Sequence, residues 1–166
     1  MDFDSVIEGR RSIRSFDPKD IEKEKLSEIL NAVKYVPSGH NLQDYKIYVI
    51  KDEKIKKSLV YAARGQDFVE RAPIVFVVCA DIEKEGTKRG YLFSAESASM
   101  AAYIICLKAF ELGLGSCWIG DFNEEDLRDI LQLPQKLLPI AVIPIGYSKE
   151  NPKMPKRRED YYETMD

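Results

Sequence analysis

One histidine, His40, stands in 166 residues, which leaves no imidazole set for a zinc or iron centre. Cysteine is almost as scarce. Cys79, Cys106 and Cys117 are separated by 27 and 11 residues, spacings that fit neither a metal motif nor a redox pair. An odd number of thiols in apolar surroundings points instead to buried free cysteines in a reducing compartment. Basic excess is also missing: 25 Lys and Arg face 28 Asp and Glu, a net charge of −3, so no nucleic-acid partner is expected. The longest unbroken apolar stretch, Met100 to Leu107, is too short to span a bilayer. The start, Met1-Asp2-Phe3-Asp4, lacks the apolar core of a signal peptide. The expectation is a cytoplasmic protein without a membrane partner. What is present, 45% hydrophobic and 32% charged residues, is enough for one domain with a real core.

Hydrophobic period assigns the elements. Asp4 to Gly9 reads as a short helix. A second begins between Asp20 and Glu24, carries Leu26, Ile29, Leu30 and Val33 at helical spacing, and ends by Pro37. Tyr45 to Ile50 alternates as a strand, and Asp52 caps a helix to about Ala63. Ile74 to Ala80 is continuous and β-branched, the pattern of a strand buried on both faces. Tyr91 to Leu112 is a helix apolar on nearly every side, suited to a domain centre or a subunit interface, with Gly113 as its stop. A short strand at Ser116 to Ile119, a helix capped by Asn123 and a strand at Ile140 to Ile145 follow. Pro144 inside that last strand predicts an edge or a bulge. The division expected is one domain over 1–147 and an extended arm over 148–166, where Pro152 and Pro155 stand among Lys149, Lys153, Lys156, Arg157 and Arg158.

Four constellations carry chemistry. Arg10-Arg11-Ser12-Ile13-Arg14 gathers three guanidinium forks and a hydroxyl, the donor set that matches phosphate oxygens; a solvated basic loop is the plainer alternative. Pro37-Ser38-Gly39-His40-Asn41-Leu42-Gln43 joins a helix to a strand through small polar groups able to hydrogen-bond a heterocycle or a sugar chain. Gly113-Leu114-Gly115-Ser116-Cys117-Trp118-Ile119-Gly120 follows a helix, the wrong context for a dinucleotide fingerprint, and leaves a strand whose backbone at Ile119 and Gly120 can lie against a flat ligand. Lys156-Arg157-Arg158 adds charge to the arm.

In this order, these motifs resemble the nitroreductase-like flavoproteins over residues 6–158. The resemblance implies an α+β fold with a central mixed, mostly antiparallel sheet flanked by helices. It implies an interlocked homodimer with exchange of C-terminal arms and FMN in the subunit interface. It also implies that Arg10, Arg11, Ser12 and Arg14 hold the phosphate and ribityl chain. Lys156 and Arg158 complete the clamp, with Arg157 a substitute. Pro37, Ser38, Gly39 and Asn41 come from the partner subunit, Gln43 is a weaker candidate, and the backbone of Ile119 and Gly120 lines the ring. The implied activity is reduction of a small acceptor, a nitroaromatic, a quinone or similar, with NAD(P)H as hydride donor and ping-pong use of one pocket. The alternatives are a flavin-binding storage or sensing module, and a phosphate- or nucleic-acid-binding domain using the arginines.

Chemistry at the flavin N5 needs no side-chain acid or base, so none is assigned: neither His40 in the loop nor Cys117, which has no neighbouring base. Two departures stand out. Asp44 and Tyr45 replace a proline and a tryptophan common after the loop glutamine. Only Asp81 to Gly90 fills the place of the extra helices of longer relatives, which implies an open substrate pocket.

Overall fold

The computed structural model describes residues 1–83 and 90–165, with the backbone alone at 90 and 91. The stretch 84–89, most of the segment expected to stand in place of extra helices, lies outside the described residues. The chain runs through α1 (Phe3–Gly9), α2 (Lys23–Val33), a 3-10 turn (Gly39–Asn41), β1 (Tyr45–Ile50), α3 (Glu53–Ala62), α4 (Phe68–Arg71), β2 (Ile74–Asp81), α5 (Gly90–Glu111), β3 (Gly115–Ser116), α6 (Glu124–Leu131) and β4 (Leu137–Gly146).

The sheet has the order β1-β2-β4-β3, and every pair of named strands is antiparallel. Among the described residues, the parallel component is a single bridge between Ser12 and Ser116. β2 is buried along its whole length. Its alternate residues serve two cores, as the pleat requires. Ile74, Phe76, Val78 and Ala80 pack with Ile29, Val33, Ala98, Ala101, Ala102 and Ile105 on the α2–α5 side. Val75, Val77 and Cys79 pack with Leu59 and Leu127 on the α3–α6 side. The result is helix, sheet, helix in three layers. Ala98, Ala101, Ala102 and Ala109 of α5, fully buried, let its backbone come close to the sheet.

Leu92–Glu111 is a 20-residue stretch of α5 long and apolar enough to cross a membrane, which corrects the reading from Met100 to Leu107 alone. Ala98, Ile105 and Cys106 of that helix pack into the α2–α5 core, the other use to which such a helix is put.

Pro144 needs neither of the expected devices at its own position. β4 lies inside the sheet, between β2 and β3. The Pro144 carbonyl accepts the Cys117 amide at 3.3 Å. Nitrogen and oxygen of one strand residue point to the same side, so the missing N–H faces β3, only two residues long, and no bond to β2 is lost. The register irregularity falls instead between Val78 and Cys79, opposite Ala141 and Pro139.

The helix caps form as read. Asp52 accepts from the Lys54 and Ile55 amides, and Asn123 from those of Glu125 and Asp126. Asp52→Ala should therefore cost about 1 kcal/mol, measurable as a lower denaturant midpoint at unchanged slope. An unchanged midpoint would show that the cap contributes nothing here.

Candidate functional site

Two glycine contacts fix the arginine segment. A Cβ on Gly9 would lie 2.5 Å from the Phe110 ring, and one on Gly115 would lie 2.7 Å from Ile13 Cγ1. Only glycine allows α1 to end against α5 and β3 to run beside Ile13. The Ile13 amide then donates to the Ser116 carbonyl at 2.9 Å, and Ile13 itself is buried. With its ends and its centre held, the segment turns Arg10, Arg11, Ser12 and Arg14 into one cleft of about 340 Å3. The arm supplies the opposite wall with Pro152, Lys153, Pro155 and Arg157.

The cations differ in what they are free to do. The Arg11 guanidinium is tied back to the Glu8 carbonyl at 2.5 Å and the Arg10 carbonyl at 2.9 Å. Arg14 and Arg10 both pull down on the buried Cys117 thiol, so they stand within electrostatic reach of it. Burial dominates all the same: it pushes Cys117 up, Cys106 to about 11 and Cys79 to about 12. All three cysteines are free and buried, as expected from their spacing. A thiolate nucleophile is thereby disfavoured. A disulfide-exchange reagent at pH 8 should label the folded protein very slowly and the unfolded protein at three sites. Rapid labelling of the folded protein would contradict the burial.

Of the arm residues expected in the clamp, Lys156 and Arg158 do not line the cleft; Arg157 does, joined by Lys153. Lys153 was visible as one of the arm's cations, but an arm without helical or strand period gives no signal for which of them turns inward.

The loop 37–43 is elsewhere in the chain. Pro37 borders an apolar groove with Tyr35, Met100, Tyr103 and Ile104. Ser38 Oγ accepts the Gln43 amide at 2.9 Å, and Gln43 Nε2 donates to the Asn41 carbonyl at 3.3 Å. His40, Asn41 and Gln43 all have positive φ, 49°, 57° and 49°, left-handed backbone, on either side of a right-handed Leu42, that costs energy in non-glycine residues. Gly39 at the start of this turn shares no lining with the arginine cleft. His40 and Asn41 are exposed. Ile119 is buried, and its N–H and carbonyl both pair with Val142, at 2.9 and 3.0 Å; Gly120, next along, is exposed.

Tyr45 and Asp44, which stand in place of the common tryptophan and proline, part ways. Tyr45 packs against the α2–α5 core and donates its hydroxyl to the Val33 carbonyl at 3.0 Å, near the end of α2, which fills the aromatic role. Asp44 is fully buried, and among the described residues neither carboxylate oxygen has a hydrogen-bond partner; nothing in the described structure explains it.

This arrangement has counterparts. The nitroreductase family profile matches residues 7–65 and 58–147. An NADH dehydrogenase of Thermus thermophilus is 32% identical over 85% of this chain and 84% of its own. An FMN reductase (NAD(P)H) of Bacillus subtilis is 29% identical over 95% of this chain and 72% of its own. Among solved structures, an FMN-dependent nitroreductase from Clostridium difficile superposes with a TM-score of 0.81 at 34% identity, over 95% of this chain and 92% of that one. The chain belongs to the nitroreductase family.

Proposed function

We infer that the chain is an FMN-dependent oxidoreductase that takes electrons from NAD(P)H and passes them to a small acceptor, a nitroaromatic, a quinone or similar, one after the other in the same pocket. The observation that carries this reading is the cleft in which Arg10, Ser12 and Arg14 face Lys153 and Arg157. A flavin phosphate has about two negative charges, and clustered guanidinium and ammonium donors offset a charge of that size. The names of the relatives, an FMN reductase and an FMN-dependent nitroreductase among them, support the same cofactor.

When bound, FMN supplies the hydride chemistry itself. The chain's residues bind and orient. Arg10, Arg11, Ser12 and Arg14 hold the phosphate and ribityl chain, with Lys153 and Arg157 in the role first assigned to Lys156 and Arg158. Gly120 offers open backbone for the ring beside Ile119. Pro37, Ser38, Gly39, Asn41 and, more weakly, Gln43 act from the partner of a homodimer. Two features favour that partner. None of the loop residues lines the cleft within one chain. The groove beside Pro37 leaves Tyr35 88%, Tyr103 43% and Met100 38% exposed, apolar surface that a second subunit would cover. An arm over 148–166 fits the same assembly, with Met154, Tyr161 and Tyr162 exposed along it. Three free buried thiols favour a cytoplasmic setting.

The test is the absorption spectrum of freshly purified protein, the mass of the released chromophore, and steady-state NAD(P)H oxidation with nitroaromatic and quinone acceptors. Flavin bands with an FMN mass at about one per subunit, and acceptor-dependent turnover, are expected. Colourless protein that takes up no added FMN would overturn the reading. Bound FMN without turnover would make the chain a storage or sensing module.

A further inference from the structure

Through its bond to the Arg14 amide, Glu150 brings a carboxylate beside a cleft whose charged lining residues are all arginine or lysine. On Coulomb grounds alone it opposes a phosphate there. Its hydrogen bonds indicate another purpose. The Glu150 carboxylate accepts the backbone amide of Arg14 in a short bond and that of Ser15 at 3.1 Å. Around it the arm's first residues form a small antiparallel ladder: Asp17 N donates to the Tyr147 carbonyl at 2.8 Å, and Lys149 N to that of Ser15 at 2.9 Å. Phe16 and Ser148 bridge between them. Ser148 Oγ donates to the Glu150 carbonyl at 2.6 Å, closing a tight turn. Beyond Glu150 no hydrogen bond ties the described arm residues to the rest of the fold. Glu150 is thus the last fixed point before Lys153 and Arg157 enter the cleft.

We propose that Glu150 is a positioning residue: it pins the arm to the backbone of Arg14 and Ser15 and so aims Lys153 and Arg157 at the cofactor phosphate. The ligand in this inference rests on the FMN reading; the pin does not. Charge and pin give opposite signs. A carboxylate that acted only through its charge would, on removal, tighten FMN. A pin would, on removal, loosen it.

The experiment titrates FMN into the full-length apoprotein, followed by flavin fluorescence, for wild type, Glu150→Ala, Glu150→Gln, Lys153→Ala/Arg157→Ala and the triple variant. Glu150→Ala should weaken FMN about tenfold, the loss of roughly one charged hydrogen bond. Glu150→Gln, whose amide oxygen still accepts an N–H, should recover part of that. In the Lys153→Ala/Arg157→Ala background, removing Glu150 should change affinity less than about twofold, because a residue acting only through those cations has nothing left to act on. Hydrogen exchange at the Arg14 and Ser15 amides and proteolysis of the arm, both without FMN, should accelerate in Glu150→Ala. FMN bound as tightly or more tightly by Glu150→Ala, or an equal loss in the double-variant background, overturns the proposal. Failure of wild type to bind FMN would sink the cofactor reading, while the exchange and proteolysis rates still decide the pin: unchanged rates refute it.

Discussion

Ending the chain after Ser148 should weaken FMN binding by roughly two to four orders of magnitude. The deletion removes Lys153 and Arg157 from one wall of the cleft. Each is a charged hydrogen-bond donor worth about 1.5–3 kcal/mol to a phosphate, so the pair contributes about 3–6 kcal/mol, and 1.4 kcal/mol is a factor of ten. Such contributions are rarely additive, and the lower end of the range is the safer figure. The domain itself should stay folded. Both cores are built from residues before the arm, and residues 151–165 are almost wholly exposed. Circular dichroism should therefore be unchanged while the flavin is lost on dialysis. If the proposed homodimer holds with its arms on partner surface, the loss of the exposed Met154, Tyr161 and Tyr162 should shift sedimentation from dimer towards monomer. A truncated protein that keeps its FMN and its dimer would refute both the cleft assignment and the arm.

The contrast between core and arm explains what the sequence could tell. β2 was legible because a buried strand has no polar alternation to confuse it, and α5 because its small residues repeat on every side. Tyr45–Ile50, read from alternation and its β-forming residues, is the strand observed. The arginine cleft was legible as a set of donors, since Arg10 to Arg14 are neighbours in sequence and need only a bend to converge. The arm was legible as an arm but not in detail. Which of Lys153, Lys156, Arg157 and Arg158 turns inward depends on a contact at Glu150, more than 130 residues from its partners Arg14 and Ser15, and no local period encodes it. Pro144 misled because proline forbids one hydrogen bond, whereas the effect depends on which neighbour that bond would have reached. Gly9 and Gly115 carried a signal of another kind: a glycine beside a functional segment marks close approach, but the partner, Phe110 or Ile13, is a matter of tertiary structure.

Arg10→Ala should weaken FMN by roughly 10- to 150-fold, about 1.5–3 kcal/mol for one charged hydrogen bond. Three observations single out Arg10 among its neighbours. It is the residue at which the backbone leaves α1, held in place by the Gly9–Phe110 contact. Its charge reaches the buried thiols of both Cys106 and Cys117. Arg11, by comparison, is already committed to two carbonyls, so Arg11→Ala should cost less. Arg10→Lys should recover only part of the loss, because an ammonium is a point charge without the planar fork. The salt dependence of FMN affinity should become shallower in Arg10→Ala, as expected when one cation is removed from a screened interaction. Fold stability should change little, since Arg10 is partly exposed and outside both cores. Unchanged FMN affinity in Arg10→Ala, together with a loss in Arg11→Ala, would mean that the phosphate sits against α1's last turn instead, and the roles of the two arginines would have to be exchanged.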